Sequence, residues 1–478
     1  MSDLKVYNTA TRRKETFVPL VEGEVRMYVC GVTVYDFCHL GHGRCYTAFD
    51  AIRRYLEYLG YRVIHIQNIT DVDDKLIKKA AAEPAGEDMR SKLAAVAERY
   101  AKAYFEDMDR LNVLRAQQYP RATQNIPGMI EIISDLLEKG YAYRRGGNVY
   151  FEVARFASYG KLSGRNLEEL KAGARVGVEE EKKSPLDFAL WKSSSEGEPA
   201  WESPWGPGRP GWHIECSAMS IRYLGPTFDI HGGGQDLIFP HHENEVAQSE
   251  AATGHPFARY WVHNGFVTIN EEKMSKSLGN VSNLRDLFSS HPPRVLRFFF
   301  LGQHYRSPVD FGEESLKEAA AGLRRLDEAY GRGIDRFGKE GETPPSAELL
   351  RNFEEAMNDD FNTAAALAVA FRAANLINSG SEDPGVFAAL ALICRTLGVD
   401  LINPRHRVED KTADEVDVSA LLNKESLSED EILALAAARR RFRAAKDWTG
   451  ADRIRDRLVQ LGVEVRDNPD GSSTVVYY

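Results

Sequence analysis

The chain has 478 residues, of which 43% are hydrophobic, enough for several buried cores, and this length predicts about three or four domains. Its net charge of −10 argues against a non-specific nucleic-acid coat, although a local basic surface can still bind RNA. No run of about eighteen apolar residues and no apolar leader is present, which predicts neither a membrane span nor a signal peptide. Five scattered cysteines predict a reducing, cytoplasmic compartment rather than a disulfide framework.

The first predicted elements form a βαβ unit. Residues 25–34 are apolar and β-branched, which is typical of a buried parallel strand. Apolar residues at spacings of three and four predict a helix over residues 43–59, and residues 62–67 predict a second strand. This order is typical of a doubly wound, Rossmann-type parallel sheet of the α/β class.

The tetrapeptide HLGH, residues 39–42, lies at the predicted turn from strand to helix. Free backbone N–H groups and the helix dipole favour phosphate at such a turn. His39 and His42 can donate hydrogen bonds to the charge that develops on an attacked phosphate, and Gly41 lets the backbone approach a nucleotide closely. The alternative interpretation is that the two histidines only cap the helix.

Four residues of types that bind metal ions come from three places in the sequence. Cys30 ends the first predicted strand, at the edge where doubly wound sheets bind ligands, and Cys216 lies in the segment GWHIECSAMS. His241 and Glu245 are four residues apart, so on a helix they lie on one face and can bind one ion. Two thiolates, an imidazole and a carboxylate together predict a tetrahedral zinc site.

Two further histidines leave this ligand set open. His231 and His242 lie in the same segment, FDIHGGGQDLIFPHHENEVAQSE, and compete for the metal. The alternative to any metal site is a pair of buried thiols beside a solvated acidic helix.

The pentapeptide KMSKS, residues 273–277, follows a strand-like stretch and precedes a turn signal. Lys273 and Lys276, flanked by small hydroxyl residues, suit the pyrophosphate of a nucleotide because they are adjustable point charges. A solvated basic loop is the alternative, but HLGH lies upstream at the distance that a split nucleotide fold requires. The two motifs together predict an ATP-dependent enzyme that forms an adenylate.

The last third of the chain is predicted to be mainly helical. Amphipathic runs over residues 314–401 predict a helical bundle, and the polar residues 405–429 predict a linker. An arginine-rich helix and a short β-like tail follow. Basic side chains and one aromatic side chain of this helix predict contacts with the phosphates and an exposed base of RNA: Arg439, Arg440, Arg441, Arg443, Lys446 and Trp448. A solvated basic helix is the alternative.

Seven motifs together resemble the cysteinyl-tRNA synthetases, a family of class I aminoacyl-tRNA synthetases, nearly end to end. They are CGVTVYDFCHLGHGR (30–44), NITDVDDK (68–75), DFALWK (187–192), GWHIECSAM (211–219), HGGG through HHENEVAQSE (231–250), KMSKSLGN (273–280) and DDFNT (359–363). Val32 stands where this family usually has proline, and Leu40 where it usually has isoleucine. Neither departure touches a polar group of the motifs.

The resemblance implies a Rossmann-type catalytic domain split by an insertion, then a helical bundle and a small C-terminal α+β domain. The implied boundaries are 1–114 and 211–260 for the nucleotide fold, 115–210 for the connective insertion, 261–313 for a stem-contact region with the KMSKS loop, 314–404 for the anticodon-side bundle, 405–429 for the linker and 430–478 for the small tRNA-recognition domain.

The resemblance also implies an activity. L-Cysteine would be activated with ATP to cysteinyl-adenylate and then transferred to the 3′-terminal ribose of tRNA(Cys). The implied catalytic residues are His39, His42, Lys273 and Lys276. Those implied for ATP are Gly41, Gly232, Gly233, Gly234, Asp236 and Lys276, with a plain loop as the alternative for the three consecutive glycines. Those implied for cysteine are Thr70, Trp212 and His231, with simple packing as the alternative for Trp212. Those implied for zinc are Cys30, Cys216, His241 and Glu245. The resemblance further implies one zinc ion per chain and magnesium bound with ATP. We also expect a monomer with no membrane partner.

A physical argument explains the implied zinc. Serine differs from cysteine by one atom, and a hydrophobic pocket separates near-isosteres by only about 1–3 kcal/mol. Coding accuracy of about 10⁴ corresponds to roughly 5.5 kcal/mol. Zinc binds the thiol as a soft thiolate, whereas the serine hydroxyl is a harder and weaker acid. The insertion is short for a second, hydrolytic site, which agrees with selection by the metal alone.

Two rival functions share part of this sequence pattern. The cysteine ligase of mycothiol synthesis resembles the catalytic half but joins cysteine to an amino sugar, and the helical bundle with its basic tail argues against it. A catalytically inactive zinc- or RNA-binding paralogue is the other rival. The intact HLGH and KMSKS motifs and the four metal-binding side chains argue against that.

Overall fold

The computed structural model describes residues 3–84, 88–166, 182–195, 197–269, 272–273, 283–338, 343–403, 405–407, 417–424, 427–467 and 473–477. The chain divides into two units. The first comprises Met1–Leu316, Phe353–Ala366 and Thr396–Val399, and the second comprises Lys317–Asn352, Leu367–Arg395 and Asp400–Tyr478. Within the described ranges, no helix is both long enough and apolar enough to span a bilayer.

The strands and helices are numbered in chain order. The strands are β1 (Lys5–Asn8), β2 (Arg13–Thr16), β3 (Glu24–Thr33), β4 (Arg62–Thr70), β5 (Ala142–Arg145), β6 (Asn148–Phe151), β7 (Phe188–Ser193), β8 (Gly208–Pro210), β9 (Phe228–Gly234), β10 (Ala258–Asn264), β11 (Val267–Ile269), β12 (Glu272–Lys273), β13 (Val309–Phe311), β14 (Arg405–Arg407), β15 (Val463–Asp467) and β16 (Ser473–Tyr477). The helices are α1 (Leu40–Tyr58), α2 (Asp74–Ala81), α3 (Met89–Arg110), α4 (Ile126–Glu138), α5 (Trp212–Leu224), α6 (Glu243–Thr253), α7 (Leu284–Ser290), α8 (Pro293–Leu301), α9 (Glu313–Phe337), α10 (Ala347–Asn358), α11 (Thr363–Asn378), α12 (Pro384–Thr396), α13 (Val418–Leu422), α14 (Glu429–Ala444) and α15 (Trp448–Gln460).

A four-stranded parallel sheet in the order β10-β9-β3-β4 forms the centre of the first unit. Helix α1 connects β3 to β4, and α6 connects β9 to β10, so the winding direction reverses between β3 and β9. Doubly wound sheets bind ligands beyond the carboxyl ends of their strands at such a reversal. The predicted Rossmann-type sheet is confirmed, and its topology gives the place where a ligand would bind.

Helix α1 begins three residues before the predicted start at Gly43. His39 is its N-cap residue, and the backbone N–H of His39 donates a hydrogen bond of 3.2 Å to Nδ1 of His42. Further along the same helix, Phe49 and Ile52 are buried in the core. HLGH therefore forms the first turn of the helix itself, and this turn is fixed at the carboxyl edge of β3.

The insertion carries its own antiparallel sheet in the order β5-β6-β7-β8. The carboxylate of Asp187 ties this region together, because it accepts hydrogen bonds from the hydroxyl of Tyr143 at 2.9 Å and the backbone N–H of Val153 at 3.0 Å. Gly211 then leads from β8 into α5. A Cβ atom at this glycine would lie 1.9 Å from the carbonyl oxygen of Ala189, so the chain enters the helix by a close approach of backbone to backbone.

The predicted helical bundle and small α+β domain are both confirmed. The small domain and most of the bundle lie in the second unit, while Phe353–Ala366 and Thr396–Val399 belong to the first. In the bundle, Gly333 of α9 packs under the ring of Phe387, where a Cβ atom would lie 2.2 Å from the ring. In the small domain, β14, β16 and β15 form an antiparallel sheet beside α14 and α15. The segment 405–429, predicted as a linker, thus includes β14 and the short helix α13 in its described parts.

Candidate active site

A cavity of about 380 Å³ lies at the carboxyl edge of the central sheet, within the size range of small-molecule sites. It brings together residues that come from separate sequence motifs: Cys30, His39, Gly41, His42, Trp212, Gly234 and Asp236. The sheet reversal between β3 and β9 explains this convergence, because both strands end at the cavity.

The two HLGH histidines line this cavity and also cap α1. Their rings stack with centroids 3.7 Å apart and an interplanar angle of 18°, and both side chains are half-buried. The ring of Tyr46 lies nearly parallel to that of His42, at 6.3 Å. The sequence left two alternatives for these histidines, capping the helix or binding a ligand. In the structure the same two residues cap α1 and line the cavity, so the two roles are compatible.

The metal-binding side chains predicted from the sequence lie together beside this cavity. The ligand atoms of Cys30, Cys216, His241 and Glu245 all lie within 4.8 Å of one another, and all four residues are buried. The Cys30 and Cys216 sulfurs are 3.8 Å apart, and Oε1 of Glu245 is 3.0 Å from Nε2 of His241 and 3.6 Å from the Cys30 sulfur. Two soft and two harder donors converging at this spacing fit a single zinc ion.

Each of these side chains is positioned by a different element. Cys30 lies near the end of β3, and Cys216 lies in the second turn of α5. Glu245 lies in the first turn of α6, but His241 precedes that helix, in the irregular turn Ile238–His242. The i, i+4 pairing that the sequence predicted is therefore preserved at 3.0 Å, although the residues between them are not one regular helix.

The electrostatics of the cluster suit a cation. Burial raises the pKa of Glu245, but the nearby His231 and His241 outweigh it and lower that pKa to about 2. Burial lowers the pKa of His241, but the charge of Glu245 outweighs it and raises that pKa to about 10. A hydrogen bond from Cys30 lowers the pKa of Cys216 to about 6. A carboxylate and a thiolate, both ready to bind a metal, are thus held in the protein interior.

A second, overlapping grouping uses Cys30, His231, His242 and Glu245. In it, Nε2 of His231 lies 2.8 Å from Oε2 of Glu245, and the His231 ring stacks on Trp261 at 4.4 Å. We favour the grouping with two cysteines, because two thiolates are the softer donor set. His231, predicted to contact cysteine, then has another role: its imidazole holds the second oxygen of the Glu245 carboxylate.

A chain of hydrogen bonds reaches Cys30 from the amino-terminal hairpin. The Thr9 hydroxyl lies 2.8 Å from Nδ1 of His263, and Nε2 of His263 lies 2.8 Å from Nδ1 of His242. Nε2 of His242 lies 3.2 Å from the Cys30 sulfur. With the Thr9 hydroxyl as the first donor, each imidazole donates through Nε2 and the Cys30 sulfur is the last acceptor, while the Cys30 thiol donates its own hydrogen to Cys216. Thr9 and His263 were missed in the sequence, because neither belongs to a local metal-binding pattern.

The two residues Thr70 and Trp212, predicted for the amino-acid pocket, differ in their access to the cavity. Trp212 lines the cavity, 44% exposed, with its ring 4.3 Å from that of His241. Thr70 is buried instead: it donates a hydrogen bond of 3.0 Å to Glu215 and accepts one of 3.1 Å from Asn68. Trp212 is therefore the predicted residue best placed to meet a ligand.

The three predicted glycines also divide into two groups. A Cβ atom at Gly232 would lie 2.3 Å from the Phe49 ring, and one at Gly233 would lie 2.9 Å from the His242 ring. Gly234, by contrast, lines the cavity with Asp236. Packing therefore accounts for the first two glycines, and a ligand could account for the third.

The remaining predicted residues lie at the lysine motif and in the arginine-rich segment, which was predicted as one helix but forms two, α14 and α15, with Lys446 between them. Only the backbone of Lys273 is described, in β12 paired with Thr268, and Lys276 lies outside the described residues. In α14, Arg439 is 7% exposed, which argues against direct contact between this side chain and RNA. The other members of the predicted RNA surface are half-buried or exposed: Arg440, Arg441, Arg443, Lys446 and Trp448.

Sequence comparison identifies the family. The family described as tRNA synthetases class I (C) catalytic domain matches residues 16–321. A cysteine–tRNA ligase of Pelotomaculum thermopropionicum is 49% identical over 484 residues and covers 98% of this chain and 99% of its own length. The chain belongs to the cysteine–tRNA ligase family. A cysteine–tRNA ligase of Thioalkalivibrio sulfidiphilus, 51% identical over 476 residues, has the same coverage.

The rest of the chain agrees with membership of the cysteine–tRNA ligase family. A DALR domain matches residues 352–401, and a cysteinyl-tRNA ligase anticodon binding domain matches residues 428–472. The methionyl-tRNA synthetase of Mycobacterium tuberculosis, in complex with methionyl-adenylate, has a TM-score of 0.55 and 17% identity, covering 78% of this chain and 89% of its own. That likeness shows the class I fold alone, and the family prediction made from the motifs is confirmed.

Proposed function

We propose that this protein ligates L-cysteine to tRNA(Cys). The carrying observation is that one cavity joins the HLGH helix start to a buried cluster of two thiols, an imidazole and a carboxylate. In the first step the cysteine carboxylate attacks the α-phosphate of ATP, and the bond to pyrophosphate breaks. In the second step the terminal ribose hydroxyl of tRNA attacks the activated carbonyl, and AMP leaves.

His39 and His42 are proposed to stabilise the negative charge that grows on the α-phosphate. Their imidazoles line the cavity at the amino end of α1, where the helix dipole adds a positive potential. Capping by His42 fixes this turn before ATP binds. Catalysis of this kind works through positioning and preorganised charge, and it needs no covalent intermediate with the protein. Magnesium would accompany ATP, while Gly41, Gly234 and Asp236 would contact the nucleoside.

Cys30, Cys216, His241 and Glu245 are proposed to hold one zinc ion per chain. Bound there, zinc would supply a soft acceptor for the thiolate of the substrate cysteine. The surrounding residues prepare that site: His231 fixes the Glu245 carboxylate, and burial excludes water. Because free thiols persist in a reducing environment, we further propose that the protein works in the cytoplasm. We also propose that it is a monomer.

Cysteine-dependent exchange of labelled pyrophosphate into ATP, followed by charging of tRNA(Cys), tests this function. Exchange that requires cysteine, together with charging, is the expected result. A protein that carries out exchange but transfers cysteine to an amino sugar instead of tRNA would contradict it.

Replacement of Cys216 by serine is expected to remove the bound zinc. A hydroxyl is a far weaker acid than a thiol and a poor ligand for a soft ion, so the site would lose one of two thiolates. Loss of a group that only supports a metal ligand costs about 10- to 100-fold in affinity, and loss of a ligand itself should cost at least as much. Metal analysis of the purified and dialysed variant should therefore give far less zinc than the wild type.

The matched control is Cys394→Ser, which changes a buried thiol of α12 in the second unit. This variant should keep its zinc. Wild-type protein that contains no zinc and is fully active would contradict the metal assignment.

Replacement of Lys276 by alanine is expected to slow adenylation by about 10²–10³, the usual loss for one charge contact made in the transition state. The affinity for cysteine should change little, since the motif is proposed to meet pyrophosphate. Pre-steady-state adenylate formation at saturating cysteine measures the first effect, and cysteine binding measured by equilibrium titration checks the second. A defect confined to cysteine affinity would assign Lys276 to the amino-acid pocket instead.

A further inference from the structure

The cavity at the carboxyl edge of the central sheet is lined by a cationic side chain that belongs to neither HLGH nor KMSKS. Lys75 lines the cavity together with His39 and His42. It lies in the first turn of α2, which starts just after β4, so its backbone is at the carboxyl edge of the central sheet. Lys75 is the single lysine or arginine among the described residues that line this cavity.

The surroundings of Lys75 hold its ammonium at the cavity without neutralising it. The ammonium lies 5.2 Å from the ring centroid of Tyr35, which also lines the cavity and follows β3. An aromatic face attracts a cation but leaves its N–H donors available to another partner. In the part of the chain that the structure describes, no carboxylate lies within the 4.0 Å ion-pair distance of this ammonium.

The nearby acidic residues have other partners. Asp73 caps α2, its carboxylate accepting the backbone N–H of Lys75 at 2.7 Å. Asp74 pairs with Lys192 at 2.9 Å and with a neighbouring arginine at 3.0 Å. Asp36 lies 3.7 Å from the ammonium of Lys79. The charge of Lys75 is therefore left to act on whatever enters the cavity.

We propose that Lys75 binds a phosphate group in this cavity. The inference rests on the proposed ligase function, which brings two phosphate-bearing substrates to the same place. One is the triphosphate of ATP, and the other is the 3′-terminal phosphodiester of tRNA. Both present anionic oxygens, for which an exposed lysine on a flexible stem is an adjustable donor.

Lys75→Met tests the proposal, because it removes the ammonium and retains an apolar stem of similar length. The full-length protein is assayed in two arms. Pyrophosphate exchange with varied ATP measures kcat and KM for the triphosphate. Single-turnover transfer from preformed cysteinyl-adenylate, with varied tRNA, measures binding of the RNA terminus. Loss of one charge-assisted contact should reduce kcat/KM by about 10- to 100-fold in at least one arm.

Two matched variants separate a phosphate contact from a general effect of helix charge. Lys78→Met removes an exposed lysine one turn further along α2, at a position that does not line the cavity. It should stay within about twofold of wild type. Lys75→Arg keeps the charge and should recover at least part of the loss, since a guanidinium also donates to phosphate. All variants should keep the zinc content and melting temperature of wild type.

The two assays distinguish the phosphate of ATP from the phosphate of tRNA as the group that Lys75 binds. A raised KM for ATP assigns Lys75 to the triphosphate, whereas a defect in transfer alone assigns it to the RNA terminus. Wild-type values in both arms, or an equal loss in Lys78→Met, would overturn the proposal. A wild-type protein that shows no cysteine-dependent exchange would instead refute the ligase function itself, so the two failures are distinct.

Discussion

Serine is expected to support pyrophosphate exchange with a kcat/KM at least about 10⁴-fold below that of cysteine. The two amino acids have nearly the same shape, so complementarity of shape alone would give a factor of only about 10–200. A larger factor requires a contact that only the sulfur can make. The buried donor cluster beside the cavity is where such a contact would form, since the Cys30 residue of that cluster itself lines the cavity.

The side chains beside the cavity support discrimination of cysteine from serine by sulfur chemistry rather than by shape. The cavity lies next to the buried cluster, in which the pKa of Cys216 is lowered to about 6 and that of Glu245 to about 2, so this thiolate and this carboxylate would repel a further anion without a metal. A bound cation would reverse that preference and favour a thiolate over a hydroxyl, because a thiol ionises far more easily. The discrimination should therefore disappear along with the metal, together with activity toward cysteine.

The measurement compares kcat/KM for exchange with cysteine, serine and α-aminobutyrate. The last compound replaces the thiol by a methyl group of similar size, so it separates shape from sulfur chemistry. Serine must be freed of traces of cysteine, since contamination of about one part in 10⁴ would give the expected limit by itself. A serine value within a few hundredfold of the cysteine value would contradict selection by a thiolate contact.

The placement of Cys30 could be predicted from the sequence, because a βαβ pattern indicates which end of a strand faces a ligand site. Cys30 lies near the carboxyl end of the apolar strand β3, and the carboxyl ends of parallel strands meet at one edge of the sheet, where doubly wound sheets bind ligands. The close placement of His241 and Glu245 also followed from their spacing. What spacing could not decide was which histidine completes the set, since His242 also lies within one helical turn of Glu245 and His231 lies in the same segment.

Other features depend on contacts between distant segments, which no local pattern reports. The Thr9 and His263 hydrogen bonds join residues 254 positions apart. The start of α1 at Leu40 was missed because His39 and His42 are not typical capping residues, and the sequence placed the motif before the helix. Gly232 and Gly233 were assigned to the nucleotide, but the side chains packed above them are visible only in three dimensions.

The small C-terminal domain has a core of its own, which makes a separate test of its role feasible. Its buried residues come from α14, α15 and the sheet: Ile432, Leu435, Ile454, Leu458, Val463 and Val475. Side chains of α13 pack against this core. Ending the chain after residue 404 removes that core as a whole, including β14 and α13. We expect such a fragment to keep its zinc and its pyrophosphate exchange but to charge tRNA poorly.

Substitution of exposed side chains tests the same role without deleting a domain. The variant Arg441→Gln, Arg443→Gln, Trp448→Ala removes two charges and the aromatic ring that lies 5.7 Å from the Arg443 guanidinium. Trp448 is 57% exposed, so its removal should not disturb the core. Loss of one stacked base is worth about 1–3 kcal/mol, and two phosphate contacts add to it. Together they should lower kcat/KM for tRNA charging by about 10²–10³.

The salt dependence gives an independent readout of that loss. If both arginines contact RNA phosphates, the slope of log kcat/KM against log salt should become shallower by about one to two units. Arg455→Gln is the matched control, because Arg455 is an exposed arginine of α15 that already pairs with Asp452 and Asp456, each at 2.9 Å. It should charge tRNA within about threefold of wild type, as expected for a surface ion pair. Pyrophosphate exchange without tRNA should be unchanged in every variant, because the cavity proposed for adenylation is lined by residues of the first unit. A folded triple variant that charges tRNA at the wild-type rate and with the wild-type salt slope would contradict the assignment of these three side chains of α14 and α15 to the RNA-binding surface.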